Sequence, residues 1–205
     1  MASETTAAGA AEAGHHSSLG VSNEKMGMWV MIGSETLFFG ALIAAYLIYV
    51  GSFADAPEIT PQTIYDIPFT SVSTFILLMS SLGVVLALAA AQRGDDRGMR
   101  TWLLATALMG STFLAGQIYE FTVFMEEGMR MSTSPFTTSF YVLTGFHGVH
   151  VAVGILLLLT LWSRSLAGKL TRRTSEVVEN VGLYWHFVDI VWIVLFTVVY
   201  LIPAE

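Results

Sequence analysis

The sequence predicts an all-α membrane protein, a bundle of five transmembrane helices. Three observations lead there. The 205 residues are 54% hydrophobic and only 12% charged, against about 45–50% and about 25% in soluble domains. The apolar residues gather into five runs, each near the ~20 residues a bilayer requires. The charged residues collect in the segments between those runs. A helix bundle is the architecture this pattern allows, because unpaired backbone is not tolerated against lipid.

Residues 1–25 read as a disordered tail of Ala, Ser, Thr, Gly and Glu. A basic region followed by an apolar core is missing, so the tail does not read as a cleaved signal peptide. His15 and His16 within it are read as solvated, with metal binding as the lesser reading. The first span covers about 26–50 and carries Glu35. Thr36, Gly40 and Ala44 are spaced by four and predict a small-residue seam for close helix packing.

The segment up to the second span holds Asp55, Glu58 and Asp66 and no Lys or Arg. The second span, about 68–92, has no ionisable residue and reads as purely structural. Arg93-Gly94-Asp95-Asp96-Arg97-Gly98 is a tight turn whose Arg-Gly-Asp triplet is like an adhesion motif; a cytoplasmic position removes that reading. The third span, about 99–124, contains Gln117 and Glu120. A short loop with Glu126, Glu127 and Arg130 leads to the fourth span, about 135–162, with His147 and His150. A basic loop leads to the fifth, about 181–202, with His186 and Asp189. Residues 26–203 thus form one membrane domain.

Basic residues set the expected orientation. Lys25, Arg93, Arg97, Arg100, Arg164, Lys169, Arg172 and Arg173 fall on one side, and Arg130 alone falls on the other. The N-terminus is therefore expected in the cytoplasm and the C-terminus outside.

The composition excludes several kinds of chemistry. The chain has no cysteine, so disulfides, thiolate metal sites, iron–sulfur clusters and cysteine nucleophiles are ruled out. A net charge of −7 argues against a nucleic-acid partner. The ten methionines are scattered and read as packing filler rather than a copper path.

Ionisable residues at membrane depth are costly, so Glu35, Glu120, His147, His150, His186 and Asp189 are the candidate functional residues. Glu35 lies roughly ten residues into its helix, about 15 Å at 1.5 Å per residue. It is read either as a proton-exchanging or lipid-contacting acid, or as a neutral acid bonded to a neighbouring helix. His147 and His150 share one helical face. A hydrogen-bonded interior pair is favoured over a metal site, since no methionine or carboxylate stands beside them in sequence. His186 and Asp189 also share a face, with Asp189 orienting the imidazole; alternatively Tyr184 and Trp185 mark an interfacial aromatic belt and the pair caps a packing face. Glu120 with Gln117 forms either an outer polar cluster or a single satisfied acid.

Four ordered segments together resemble the haem–copper oxidase subunit III family. They are Trp29 to Gly40 around Glu35, Gln117-Ile118-Tyr119-Glu120-Phe121, Phe140 to Val151 around the histidine pair, and Tyr184 to Trp192 around His186 and Asp189. The resemblance covers about 26–203. It implies a subunit of a respiratory complex of the bacterial plasma membrane that reduces oxygen to water and pumps protons. This chain would carry no haem or copper; those belong to subunits I and II. Subunit I would be its direct partner, with subunit II and a small subunit IV in the same complex. Cytochrome c or quinol would supply electrons.

The resemblance further implies bound phospholipid, support of proton uptake into subunit I, and protection of the enzyme during turnover. Glu35 matches the family's carbodiimide-reactive carboxylate. The other five candidates match recurrent interior polar positions tied to helix packing and lipid headgroups. Longer members have seven helices, and this chain resembles the short five-helix bacterial forms. Two further readings stay open: the related accessory protein of nitric oxide reductases, and a small proton-coupled transporter. The outward acids Asp55, Glu58, Asp66, Glu126 and Glu127 are candidates for attracting a basic cytochrome c.

Overall fold

The computed structural model describes residues 22–51, 67–132, 134–168 and 174–201. Five long helices account for nearly all of them: α1 (Asn23–Gly51), α2 (Ile67–Gln92), α3 (Asp96–Glu126), α4 (Pro135–Leu166) and α5 (Thr174–Phe196). The last one continues as a π-helical turn over Thr197–Leu201. Each is long and apolar enough to cross a membrane. The expected tail with His15 and His16, the acids Asp55, Glu58 and Asp66, and the basic residues Lys169, Arg172 and Arg173 lie outside the described residues.

The helices begin and end where local chemistry allows. Asp95 caps α3 by accepting a hydrogen bond from the Gly98 amide at 2.9 Å, and Asp96 follows in the first turn, where a negative charge suits the exposed N–H groups. Gly94, at φ +74, supplies the left-handed residue that reverses the chain from α2 to α3. Ser134 and Thr137 form a capping box at the start of α4, with Pro135 at its first position, where the missing N–H costs nothing.

The fifth helix begins seven positions before the expected 181. Thr174 to Asn180 is too polar to read as membrane span, yet it completes the helix beyond the apolar run. Its Glu179 there meets Lys25 at the start of α1, Nζ to Oε1 2.5 Å. Arg100 at the start of α3 donates to both the hydroxyl and the carbonyl of Ser165 at the end of α4, each at 2.7 Å. These two ties gather the start of α1, the start of α3, the end of α4 and the start of α5 at one end of the bundle.

Helix α2 packs most extensively on α3, α3 also lies against α4, and α5 crosses α2 and α4. Helix α1 leans on α4 and α5 and is the least buried of the five. The expected seam of Thr36, Gly40 and Ala44 does not form inside this chain. All three are exposed, and a side chain built on Gly40 would meet nothing within 4 Å. The residues that α1 turns inward are Phe39 and Tyr46. Spacing by four identifies a face of small residues but not its direction.

Between membrane helices the apolar effect gives little drive, so close packing and interhelical hydrogen bonds carry association. Two tryptophans on α5 supply both. Trp185 donates from Nε1 to Ser80 of α2 at 2.9 Å, and Trp192 donates to Thr74 of α2 at 2.9 Å. Both indoles are fully buried. Trp185 is therefore a core residue, and its assignment to an interfacial belt is corrected: Gly110 on α3 and Gly154 on α4 leave the space its ring fills.

Candidate functional site

Glu35 and His150 meet between α1 and α4. Oε2 of the acid lies 3.3 Å from Nε2 of the imidazole, and their side chains keep 29% and 18% of their exposure. Both rings of the Phe38–Phe39 pair flank the imidazole, with Phe39 the nearer at 5.0 Å and edge-on. Glu35 stands about 18 Å along α1 from Asn23 at 1.5 Å per residue. The pair thus sits well inside the span on α1, the least buried of the five helices, and is only partly covered.

The proton positions of this pair follow from its contacts. His150 Nδ1 is 2.8 Å from the Phe146 carbonyl. A carbonyl only accepts, so Nδ1 carries a proton. Nε2 then either accepts from a protonated Glu35 or, as imidazolium, donates to a carboxylate. One proton is shared by two residues, and either arrangement leaves the pair neutral overall. Tyr184 of α5 donates to the His150 carbonyl at 3.0 Å, which fixes that turn of α4 against a third helix.

His147, one turn earlier, behaves differently. It is fully buried, stacked on Trp192 at 4.9 Å and met edge-on by Phe113 and Phe39. Neither ring nitrogen has a hydrogen-bond partner among the described residues. The expected hydrogen-bonded pair of histidines is thus corrected in part: the three-residue spacing turns His150 toward α1 and His147 into the aromatic interior.

The remaining candidates pair with hydroxyls of α2. Thr70 donates to Glu120, which is buried. Ser81 donates to Asp189 Oδ2 at 2.7 Å and lies 3.2 Å from His186 Nδ1. Gln117 faces away from Glu120's partner, donating instead to the Thr144 carbonyl of α4 at 2.8 Å. Its Oε1 sits where Gly148 has no side chain; a Cβ there would stand 2.7 Å from it. The structure therefore brings together Glu35 with His150 and His186 with Asp189, and leaves Glu120 and His147 apart. Among the described residues no group of three or more histidine or acidic side chains is arranged to hold a metal ion.

A comparison over nearly the whole chain decides the family: the family model of cytochrome c oxidase subunit III matches residues 3–203. This chain belongs to that family.

Among curated relatives, cytochrome c oxidase subunit 3 of Bacillus sp. (strain PS3) is 38% identical over 179 residues, 87% of this chain and 86% of the relative. The namesake from Synechocystis sp. is 43% identical over 178 residues, 86% of this chain and 74% of the relative. Quinol oxidase subunit 3 of Bacillus subtilis (strain 168) is 35% identical over 176 residues, 86% of this chain and 85% of the relative. The chain is thus a non-catalytic subunit III of a haem–copper oxidase, an oxidoreductase, and a membrane protein.

Sequence reasoning named the acids and histidines of this subunit III, both members of the Glu35–His150 pair included, and missed the hydroxyls that meet Glu120, His186, Asp189 and the two buried indoles. Ser80, Ser81, Thr70 and Thr74 all stand on α2, the helix read as purely structural. An apolar span with hydroxyls at 70, 74, 80 and 81 carries the signal, because such hydroxyls, even when they donate to a carbonyl of their own helix, can also bond across to another helix.

Proposed function

We propose that this subunit III serves a proton-pumping cytochrome c oxidase of a bacterial plasma membrane, with its N-terminus in the cytoplasm. It packs directly on subunit I in a complex that also holds subunit II and a small subunit IV. Haem and copper reside in subunits I and II, and this chain supports proton uptake into subunit I, lipid contact and durability in turnover. The basic residues at one end of the bundle, Lys25, Arg93, Arg97, Arg100 and Arg164, support the orientation.

The observation that carries the reading is the Glu35–His150 contact. It is a proton-sharing pair held well inside the span and only partly covered. The pair can hold its shared proton on either residue, as neutral acid with neutral imidazole or as carboxylate with imidazolium, without placing net charge in hydrocarbon, and exchange with the outside stays neutral only when one proton enters as another leaves. Glu120, His147, His186 and Asp189 serve the packing and polar contacts of the bundle around it. The exposed apolar residues of α1, among them Val30, Leu37 and Ile48, suit contact with phospholipid.

Quinol is the second donor reading, favoured by the 35% identity to a subunit named for a quinol oxidase. The test is purification from mild-detergent membranes through a tag on this chain, with a redox difference spectrum and oxygen uptake measured on the product. Haem that co-purifies with cyanide-sensitive oxygen uptake on cytochrome c is the expected result. Uptake on quinol alone would move the donor. A haem-free preparation of this chain alone would sink the reading and revive a small proton-coupled transporter. Haem that consumes nitric oxide but little oxygen would favour the reductase accessory protein.

A further inference from the structure

We propose that Ser81 is the positioning residue that joins His186 and Asp189 into one directional proton relay, running from a partly exposed imidazole to a buried carboxyl. The relay stands apart from the Glu35–His150 pair and does not rest on it. Ser81 lies midway along α2, while His186 and Asp189 lie one turn apart on α5. Its hydroxyl is 3.2 Å from His186 Nδ1 and 2.7 Å from Asp189 Oδ2.

A serine hydroxyl has one proton to give and two lone pairs to accept with. The shorter contact takes that proton, so Ser81 donates to Asp189. The bond from His186 must then come from an Nδ1–H, which leaves Nε2 as the bare, outward nitrogen of the neutral ring. The chain of donors therefore has one direction: Nδ1–H to Oγ, Oγ–H to Oδ2. Without Ser81, neither tautomer of His186 would be preferred by these contacts.

The two ends differ in surroundings. His186 is partly exposed, whereas Asp189 is 6% exposed. Asp189 Oδ1 is buried with no hydrogen-bond partner among the described residues, an open acceptor at the inner end. One transfer balances as follows. A proton arriving from outside binds His186 Nε2, the Nδ1 proton passes to Ser81 Oγ, and the original Ser81 proton passes to Asp189 Oδ2. Serine is unchanged, histidine has exchanged tautomers and the aspartate is neutral. Departure of that proton from the carboxyl restores the ionised aspartate, and the ring regains its Nδ1–H by taking one proton at Nδ1 and losing one from Nε2 to water, since rotation alone does not exchange tautomers.

The surrounding packing makes the relay testable. The α2–α5 contact keeps the Trp185–Ser80 and Trp192–Thr74 bonds when Ser81 is altered. Gly182 also holds the two backbones close, since a Cβ on it would stand 2.9 Å from Val84. Removing one hydroxyl therefore leaves the helix pair in place.

The experiment uses the intact oxidase complex with 15N-histidine in this subunit. Nitrogen shifts of His186 report its tautomer, and infrared spectra report the Asp189 carboxyl band. Each signal is assigned by its loss in His186→Gln and Asp189→Asn. Ser81→Ala should abolish the Nδ1–H preference and shift the carboxyl band, and Ser81→Thr should restore both. Ser80→Ala, which removes the partner of Trp185 and the bond from Ser80 to the Leu77 carbonyl but leaves Ser81 intact, should move neither. Unchanged His186 and Asp189 signals in Ser81→Ala would overturn the proposal. So would equal changes in Ser80→Ala, because the effect would then be a general shift of α2 against α5.

Discussion

The indole of Trp185 lies so close to Gly154 that a Cβ on the glycine would stand 2.7 Å from both Cε3 and Cζ3 of the ring. Gly110 meets the other part of the same ring, with a Cβ there 2.5 Å from Cη2. One side chain of α5 thus fills the space that two glycines on α3 and α4 leave. Backbone and ring carbon cannot yield cheaply at such distances. Gly154→Val is expected to lower stability by about 1–3 kcal/mol, the usual range for overpacking. Thermal release of this subunit from the purified complex measures it. An unchanged release temperature would mean that α4 and α5 can separate without loss.

The second indole makes a different kind of contact. Trp192 donates to Thr74, whose own hydroxyl proton goes back to the Thr70 carbonyl at 2.8 Å. Thr74→Val keeps the shape and removes the acceptor, leaving a buried N–H without its partner. Hydrogen bonds between membrane helices average about 0.6 kcal/mol and reach about 1.7, so a loss of about 1 kcal/mol is expected. Thr74→Ser should recover most of it. If valine and serine behave alike, the hydroxyl contributes nothing and packing alone holds α2 to α5.

These contacts mark what the sequence could and could not convey. Hydropathy located all five helices, because length and apolar content decide what crosses a bilayer. It placed the start of α5 at 181, since Thr174 to Asn180 is polar, whereas the helix extends beyond the apolar run through Glu176 and Glu179. The ionisable candidates were legible because charge at membrane depth is rare. Their hydroxyl partners were not. Ser81 and Thr70 look like any small polar residue until α2 is placed beside α5 and α3. Direction was the other gap. Thr36, Gly40 and Ala44 have the spacing of a packed seam yet face outward, and Trp185 has the look of a belt residue yet is core.

Glu35, Glu120 and Asp189 are all carboxyls within spans, but Glu35 is only half-buried, whereas Glu120 and Asp189 are buried. An apolar carbodiimide dissolved in the bilayer should therefore modify Glu35 and spare Glu120 and Asp189. Peptide mass mapping after labelling of the intact complex reads the outcome. Glu35→Gln should abolish labelling while the complex still assembles, and its oxygen uptake should decay differently during turnover. Labelling of Asp189 at a comparable rate would show that the α2–α5 interface opens in the membrane. Wild-type proton pumping and survival in Glu35→Gln would reduce Glu35 to a packing role.

His147 offers the reverse expectation. Both its nitrogens are buried without hydrogen-bond partners among the described residues, and three aromatic rings surround it. An unpartnered buried polar group costs about 1–3 kcal/mol, and an apolar group of similar shape avoids that cost. His147→Phe should therefore leave stability unchanged or raise it, with the new ring stacking on Trp192 at about the same place. His147→Ala should lower stability instead, because the rings of Phe113, Phe39 and Trp192 close over a void only partly. Thermal release of the subunit from the complex compares the two. A phenylalanine variant that is as damaged as the alanine one would mean that the ring nitrogens of His147 hold a partner in the assembled oxidase.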